Sequence, residues 1–171
     1  MTLPFTFQIK SVFDGGSVLR PAEPATADLL IVREGDSDRV VIATLAERIL
    51  AAAGSSRSIK ILTAMGKITI PRVANAMRNT FHSEFKVLIV TDGDNDPIGT
   101  AMMLANGLEF DGWVAAIPNP SIETWLNLNR SRRPGKSWIE VSRSAAETLD
   151  IDALRQQDDQ FEKFCAAILA G

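Results

Sequence analysis

The chain has 171 residues, with 18 Lys plus Arg against 21 Asp plus Glu and a formal net charge of −3. One Cys (Cys165), one His (His82) and no Tyr leave no material for a disulfide framework, a Cys/His zinc site or a tyrosyl intermediate, so any hydrolysis has to run on carboxylates and water. Hydrophobic residues at 46% and charged residues at 23% are ordinary globular usage and exclude a disordered or collagen-like chain.

A chain of this length suggests one domain with room for a sizeable core. Met1 to Lys10 do not pair a basic stretch with a long apolar run, and no 18 consecutive apolar residues occur anywhere, so a soluble, cytoplasmic protein that makes no use of a membrane is expected. With a pI of about 5.2, nucleic-acid binding would need a local basic patch or metal ions rather than global charge.

In chain order, Phe5 to Phe13, ending in Asp14-Gly15-Gly16, reads as an edge strand and hairpin before a turn at Pro21 to Pro24. Four short apolar runs follow: Leu29-Leu30-Ile31-Val32, Ile59-Lys60-Ile61-Leu62, Val87-Leu88-Ile89-Val90 and Trp113 to Ile117. Near-continuous apolar strands suit a sheet covered on both faces. Between them, Val40, Val41, Thr44, Leu45 and Ile49 share one face of a helix ending near Gly54, with Asp36 or Ser37 as its cap. Ile70, Val73, Met77 and Phe81 do the same, with Pro71 in the first turn. Ile98 to Leu104 makes a shorter helix. Strands alternating with helices predict a mainly parallel α/β sheet with right-handed crossovers. Ile151, Leu154, Phe161, Phe164, Cys165 and Ile168 read as a helix packed on it. The expected domain has its core at about 28–136 and a C-terminal helical segment at about 141–169.

Ligands of open parallel sheets sit beyond the carboxyl ends of the strands. Arg33-Glu34-Gly35-Asp36-Ser37-Asp38 follows the first apolar run, Thr91-Asp92-Gly93-Asp94-Asn95-Asp96 the third, and Pro118-Asn119-Pro120-Ser121-Ile122-Glu123 the fourth. Three acidic clusters therefore share one edge, and Gly66-Lys67 after the second run adds a cation there. Each cluster also admits a structural role: Asp36 to Asp38 as helix caps, Asp92 to Asp96 as a solvated turn, Ser121 and Glu123 as first-turn residues. A calcium loop of the EF-hand type fails, because Pro97 and Met103 stand where Gly and Glu are required. Carboxylates gathered at one site repel unless protons or cations neutralise them, and oxygen ligands without Cys or His favour magnesium or manganese.

Glu34-Gly35 after one strand and Asp92-x-Asp94 after another resemble the TOPRIM domain of topoisomerases, primases and related nucleases. More narrowly, Glu34-x-x-x-Asp38, Asp92-x-Asp94 and Ser121-x-Glu123 in that order resemble the nuclease version of the overcoming lysogenization defect (OLD) family. Gly66-Lys67 and Ile122 to Leu126 share the likeness, which covers roughly Leu29 to Lys136. The resemblance implies a TOPRIM-like fold and a two-metal nuclease, with DNA favoured as substrate, in phage defence or DNA processing. It implies that Glu34, Asp38, Asp92, Asp94 and Glu123 bind two Mg2+ or Mn2+ ions, that Ser121 assists, and that Lys136 completes the catalytic set. An RNA-processing enzyme and a non-catalytic subunit that binds nucleic acid or a partner remain alternatives, and a homodimer is compatible with either.

The departures from that family are as informative. No Gly-x-x-x-x-Gly-Lys-Ser/Thr occurs, since Ile68 follows Gly66-Lys67, so any ATP-driven regulation is expected from a separate ATPase or defence-system subunit. The missing tyrosine excludes a topoisomerase. Arg130, Arg132, Arg133 and Lys136 form either a solvated loop or, together with Lys67, a phosphate-binding surface. His82 reads as a cap or surface residue, Cys165 as a small buried hydrophobe, and Trp113, Trp125 and Trp138 as core residues.

Overall fold

The computed structural model describes residues 27–81, 85–128 and 137–170. The expected hairpin around Phe5 to Gly16, His82, and the basic stretch Arg130 to Lys136 lie outside them.

The four apolar runs form strands β1 (Leu29–Arg33), β2 (Ile59–Thr63), β3 (Lys86–Val90) and β4 (Trp113–Ala116), all parallel, in the order β2-β1-β3-β4. The central place of β1 explains why all five of its residues are buried, whereas β2 at one edge is only half-buried. Arg33 is in register with Thr63 on one side and Val90 on the other, so the chain leaves β1, β2 and β3 at nearly the same level. This alignment places the following loops side by side.

Because successive side chains alternate, the sheet sorts its apolar residues into two layers. Leu29, Ile31, Leu88 and Val90 face α1 (Arg39–Ala52) and α6 (Asp159–Leu169), meeting Leu45 and Ile49 of the first and Phe161, Phe164 and Cys165 of the second. Leu30, Val32, Val87 and Ile89 face α2 (Ile70–Phe81) and α3 (Pro97–Gly107), through Ile70, Ala74 and Leu104. Pro71 sits in the first turn of α2, as its position in the pattern requires. A side chain at Gly107 would come within 2.8 Å of Pro71, so glycine is what lets α3 lie against α2.

Two expectations change. The C-terminal segment is three helices rather than one: α4 (Trp138–Thr148), α5 (Ile151–Gln157) and α6. Acidic caps make the breaks, because the Asp150 carboxylate accepts from the Ala153 amide and Asp158 from those of Gln160 and Phe161. Helix α1 has no side-chain cap from Asp36 or Ser37. A 3-10 turn at Asp36–Asp38 feeds it instead, and Asp36 is bonded to other partners described below.

Arginines at the helix ends bind the C-terminal segment to the sheet. Arg48 donates to the carbonyls of Ala146 (2.6 Å) and Leu149 (2.9 Å) at the end of α4. Arg57 donates to Ala167 and Ile168, both at 2.8 Å, and to Asp28 at 3.3 Å, while Lys86 reaches Ala170 O at 3.4 Å. The end of α6 is thereby held at the amino-terminal ends of β1 and β3. No helix among the described residues is long and apolar enough to cross a membrane. Arg48→Met should cost about 1–2 kcal/mol in urea unfolding, through the loss of charge-assisted bonds to open helix carbonyls; an unchanged midpoint would show that water satisfies those carbonyls equally well.

Candidate functional site

Four carboxylates predicted from their place after the strands do converge. Glu34 follows β1 directly, and its Oε2 accepts from Thr91 Oγ1 at 2.9 Å, a bond that spans from β1 to the end of β3. Asp92 leaves β3, and its Oδ1 accepts from the backbone N–H of Ile122 at 2.9 Å. Glu123 lies in a 3-10 turn, Ile122–Thr124, that follows Ser121, and is only 8% exposed. Asp38 closes the turn before α1 and accepts from Ser37 Oγ at 2.9 Å. Asp38, Glu123 and Glu34 all stand near enough to Asp92 for their charges to act on it.

The loops after β3 and β4 interlock, which fixes Asp92 relative to Glu123. Gly93 donates to Pro118 O at 2.7 Å, Asp94 to Pro120 O at 2.9 Å, and the Asn95 amide to Asn119 Oδ1 at 2.9 Å. A Cβ at Gly93 would lie 2.9 Å from Asn119 Oδ1 and 3.2 Å from Pro118 O, so only glycine fits the seam. Asp94 is held at a φ of 49°, a left-handed conformation that Asp tolerates better than most residues. Ser121 precedes the turn of Glu123, and its carbonyl, not its hydroxyl, anchors that turn by accepting from the Thr124 amide at 3.0 Å.

Asp94 stands apart from the group of four. Its Oδ2 lies 2.5 Å from Lys67 Nζ, which also approaches Thr100 Oγ1 at 3.5 Å. Lys67 reaches this position from the loop after β2, where Thr69 Oγ1 bonds the carbonyls of Gly66 and Ala64. Placing Lys67 at the acidic edge is therefore correct, and its partner there is a predicted metal ligand.

A buried cation beneath the edge escapes a reading based on acidic residues. Arg33 is 1% exposed; its Nη2 donates to Asp36 Oδ1 at 3.0 Å, and its Nε and Nη1 find no acceptor. Burial pulls its pKa below the usual arginine value, opposed by the bond and the charge of Asp36. The signal was present in the phase of β1: Arg33 falls on the same face as Leu29 and Ile31, so it has to be buried. Asp36 also accepts from Thr63 Oγ1 at 3.1 Å, and these bonds hold its carboxyl below the ordinary aspartate range. Of the two aspartates in the turn, Asp36 is thus engaged with the sheet, while Asp38 contributes its charge to the group around Asp92.

Burial, followed by the charges of Asp38, Glu123 and Glu34, pushes the pKa of Asp92 up to about 7 against the opposing pull of the Ile122 amide. Hard oxygen donors gathered in this way carry a charge that protons or cations would neutralise. Among the described residues, however, no three His, Cys, Asp or Glu side chains are grouped so that they could hold a metal ion, and Glu34, Asp92 and Asp94 each spend an oxygen on a protein donor.

Residues 26–94 match the family model described as overcoming lysogenization defect protein-like, TOPRIM domain. The matched segment carries Glu34, Asp38, Asp92 and Asp94, whereas Ser121 and Glu123 lie beyond the matched residues. Two solved structures of the C-terminal region of the Xanthomonas campestris pv. campestris OLD protein, phased with iodine and with mercury, are similar to this chain at 16% and 17% identity. Their TM-scores are 0.38 and 0.35, and each comparison covers 84% of this chain and 85% of the other. No curated protein matches the chain.

The raised pKa of Asp92 has a signed consequence for stability. Between the unfolded value of 3.8 and about 7, the folded acidic edge retains a proton that the unfolded chain has released, so stability falls as pH rises through that window. Asp92→Asn removes this penalty. In EDTA, the melting temperature of the variant should exceed that of the wild type at pH 8, and the gain should shrink towards zero as pH falls to 4; a pH-independent difference would show that Asp92 titrates normally.

Proposed function

We propose that this protein is a divalent-metal-dependent nuclease that hydrolyses phosphodiester bonds by a two-metal mechanism, with DNA favoured as its substrate. The observation that carries this reading is the placing of Glu34, Asp38 and Glu123 around a half-buried Asp92 whose pKa is pushed up to about 7 by burial and by their charges. Such a group releases its proton to a cation at little cost, which is what a reversible metal site requires. The match of residues 26–94 supports the same chemistry.

In this reading Glu34, Asp38, Asp92 and Glu123, with Asp94 beside them, hold two Mg2+ or Mn2+ ions, and Ser121 assists at the turn of Glu123. Such ions activate a water and stabilise the leaving oxygen of a phosphodiester. The protein's own contribution is placement. Thr91 fixes the rotamer of Glu34, the Ile122 amide that of Asp92, and the seam at Gly93 sets the distance between the third and fourth strand ends. Lys67, Arg130, Arg132 and Arg133 are assigned to the phosphate backbone, and Lys136 to the developing charge in the transition state.

Incubation with Mg2+ or Mn2+ and a panel of DNA and RNA substrates should give cleavage that EDTA abolishes. Asp92→Asn and Glu123→Gln should lose at least about a hundredfold in rate, as expected where a group acts only in the transition state, while still binding substrate in Ca2+. Cleavage by both variants at the wild-type rate would sink the assignment, and cleavage confined to RNA would move the substrate class.

The basic stretch gives a separate expectation. Changing Arg130, Arg132 and Arg133 together to Ala should weaken DNA binding and flatten its salt dependence, by about 0.7–0.9 units of logarithmic slope for each phosphate that the variant no longer neutralises. An unaltered slope would return these residues to a solvated loop.

A further inference from the structure

The outer face of the layer formed by α2 and α3 is apolar where a surface helix is ordinarily polar. Four of the seven large apolar side chains that stand exposed among the described residues lie there: Met65 (77%), Ile68 (86%), Ile98 (74%) and Met102 (60%). Helix α3 buries Thr100 and Leu104, so Ile98, Ala101, Met102 and Ala105, which follow the spacing of one helix face, are left on its outer side. None of the 11 residues of α3 is charged. Met65 and Ile68 stand on either side of Gly66-Lys67, and Lys67 Nζ lies 3.5 Å from Thr100 Oγ1, so this pair borders the first turns of α3. Met65 is held at a φ of 60°, which residues other than glycine seldom adopt, and its side chain is presented to solvent. Local strain and a concentrated apolar surface are both costs, as expected of a face that another chain completes.

The occupant that fits is a second copy. An uncharged face meets its own image without like-charge repulsion, which matters for a chain of net charge −3. The charges at the two ends of the face also complement each other. At the amino end of α3 the exposed Asp96 caps the helix, accepting from the Gly99 amide at 2.8 Å, with Lys67 nearby. At the carboxyl end the Asn75 side chain donates to Gly107 O at 2.9 Å and accepts from the Glu109 amide at 3.1 Å, and Pro71 lies against Gly107, which brings the exposed Arg72 and Glu109 to that end. A twofold axis through the middle of the face lays α3 antiparallel on its copy, and each end then meets the opposite one: Arg72 faces Asp96, and Lys67 faces Glu109. We propose that this chain forms a twofold homodimer through the outer face of α3, flanked by Met65 and Ile68. The several hundred Å2 of apolar surface there is a large part of the roughly 800 Å2 that one partner brings to a standard interface. The proposal stands on this face alone, whatever the acidic edge does.

Sedimentation velocity of the full chain, from low to high micromolar concentration, should show a dimer that dissociates on dilution. Met102→Lys and Ile98→Asp should each weaken association at least about thirtyfold, as for the loss of an interface hot spot. Their circular dichroism should match the wild type, because both side chains are exposed in the single chain. Ile139→Lys, which alters a comparably exposed apolar residue of α4, should leave association unchanged. Arg72→Glu should weaken it by up to about fivefold for each exposed pair, and adding Asp96→Asn, which keeps the cap of α3 and removes its charge, should restore part of the loss. A second route leaves the apolar side chains in place: Ala101→Cys, in the middle of the face, should be joined to its copy by a short bismaleimide, whereas Glu147→Cys on α4 should not, the native Cys165 being buried. A wild type that stays monomeric throughout would overturn the interface and leave the face to a different partner. Association at wild-type strength in both Met102→Lys and Ile98→Asp, or cross-linking of Ala101→Cys no better than that of Glu147→Cys, would overturn it equally.

Discussion

Repulsion among like charges at the carboxyl edge of the sheet is the constraint to which the rest of this structure answers. Four carboxylates stand together across the ends of β1, β3 and β4, and burial, reinforced by the charges of Asp38, Glu123 and Glu34, drives the pKa of Asp92 up to about 7. Carboxylates in water would drift apart. Here they cannot, because each is attached to an element whose position is set by packing far from the charge. The apolar layers on the two faces of the sheet provide the stability against which this unfavourable grouping is held.

The restraints are short and local. Thr91 holds Glu34, the Ile122 amide holds Asp92, and the seam of Gly93 against Asn119 and Pro118 leaves no slack between the two loops that carry Asp92 and Glu123. Two cations built into the edge moderate the field from opposite faces. Arg33 is sunk on the α1 side and engages Asp36, and Lys67 comes from the α2 side and engages Asp94. Each aspartate so engaged is one that the group around Asp92 does not have to accommodate.

What was legible in the sequence follows from which signals are local. Parallel strands buried on both faces appear as unbroken apolar runs, so β1 and β3 could be read directly, and the residues just after them, Glu34 and Asp92, came with them. Lys67 was legible for the same reason. Arg33 was not, because attention to the acids hid a cation lying in phase with Leu29 and Ile31. The division of labour between Asp36 and Asp38 depends on Thr63, which lies on another strand, and such a contact has no counterpart in sequence spacing. Glu123 could be placed after a strand but its burial could not, since that comes from the fold of the β4 loop. The breaks between α4, α5 and α6 were masked because apolar periodicity runs on through them, while Asp150 and Asp158, ordinary surface acids in composition, act as caps. Arg130 to Lys136 lie outside the described residues and are readable from sequence alone.

The arginine that closes α6 also sets the polarity of the molecule. Arg57 ties the carbonyls of Ala167 and Ile168 to Asp28, and Lys86 reaches Ala170, so the last described turn leaves the fold beside the amino ends of β1 and β3. The carboxylates occupy the other pole. Among the described residues, a fluorophore, affinity tag or surface tether attached at Ala170 would therefore sit at the end of the sheet opposite the acidic edge, the full length of the strands away from it.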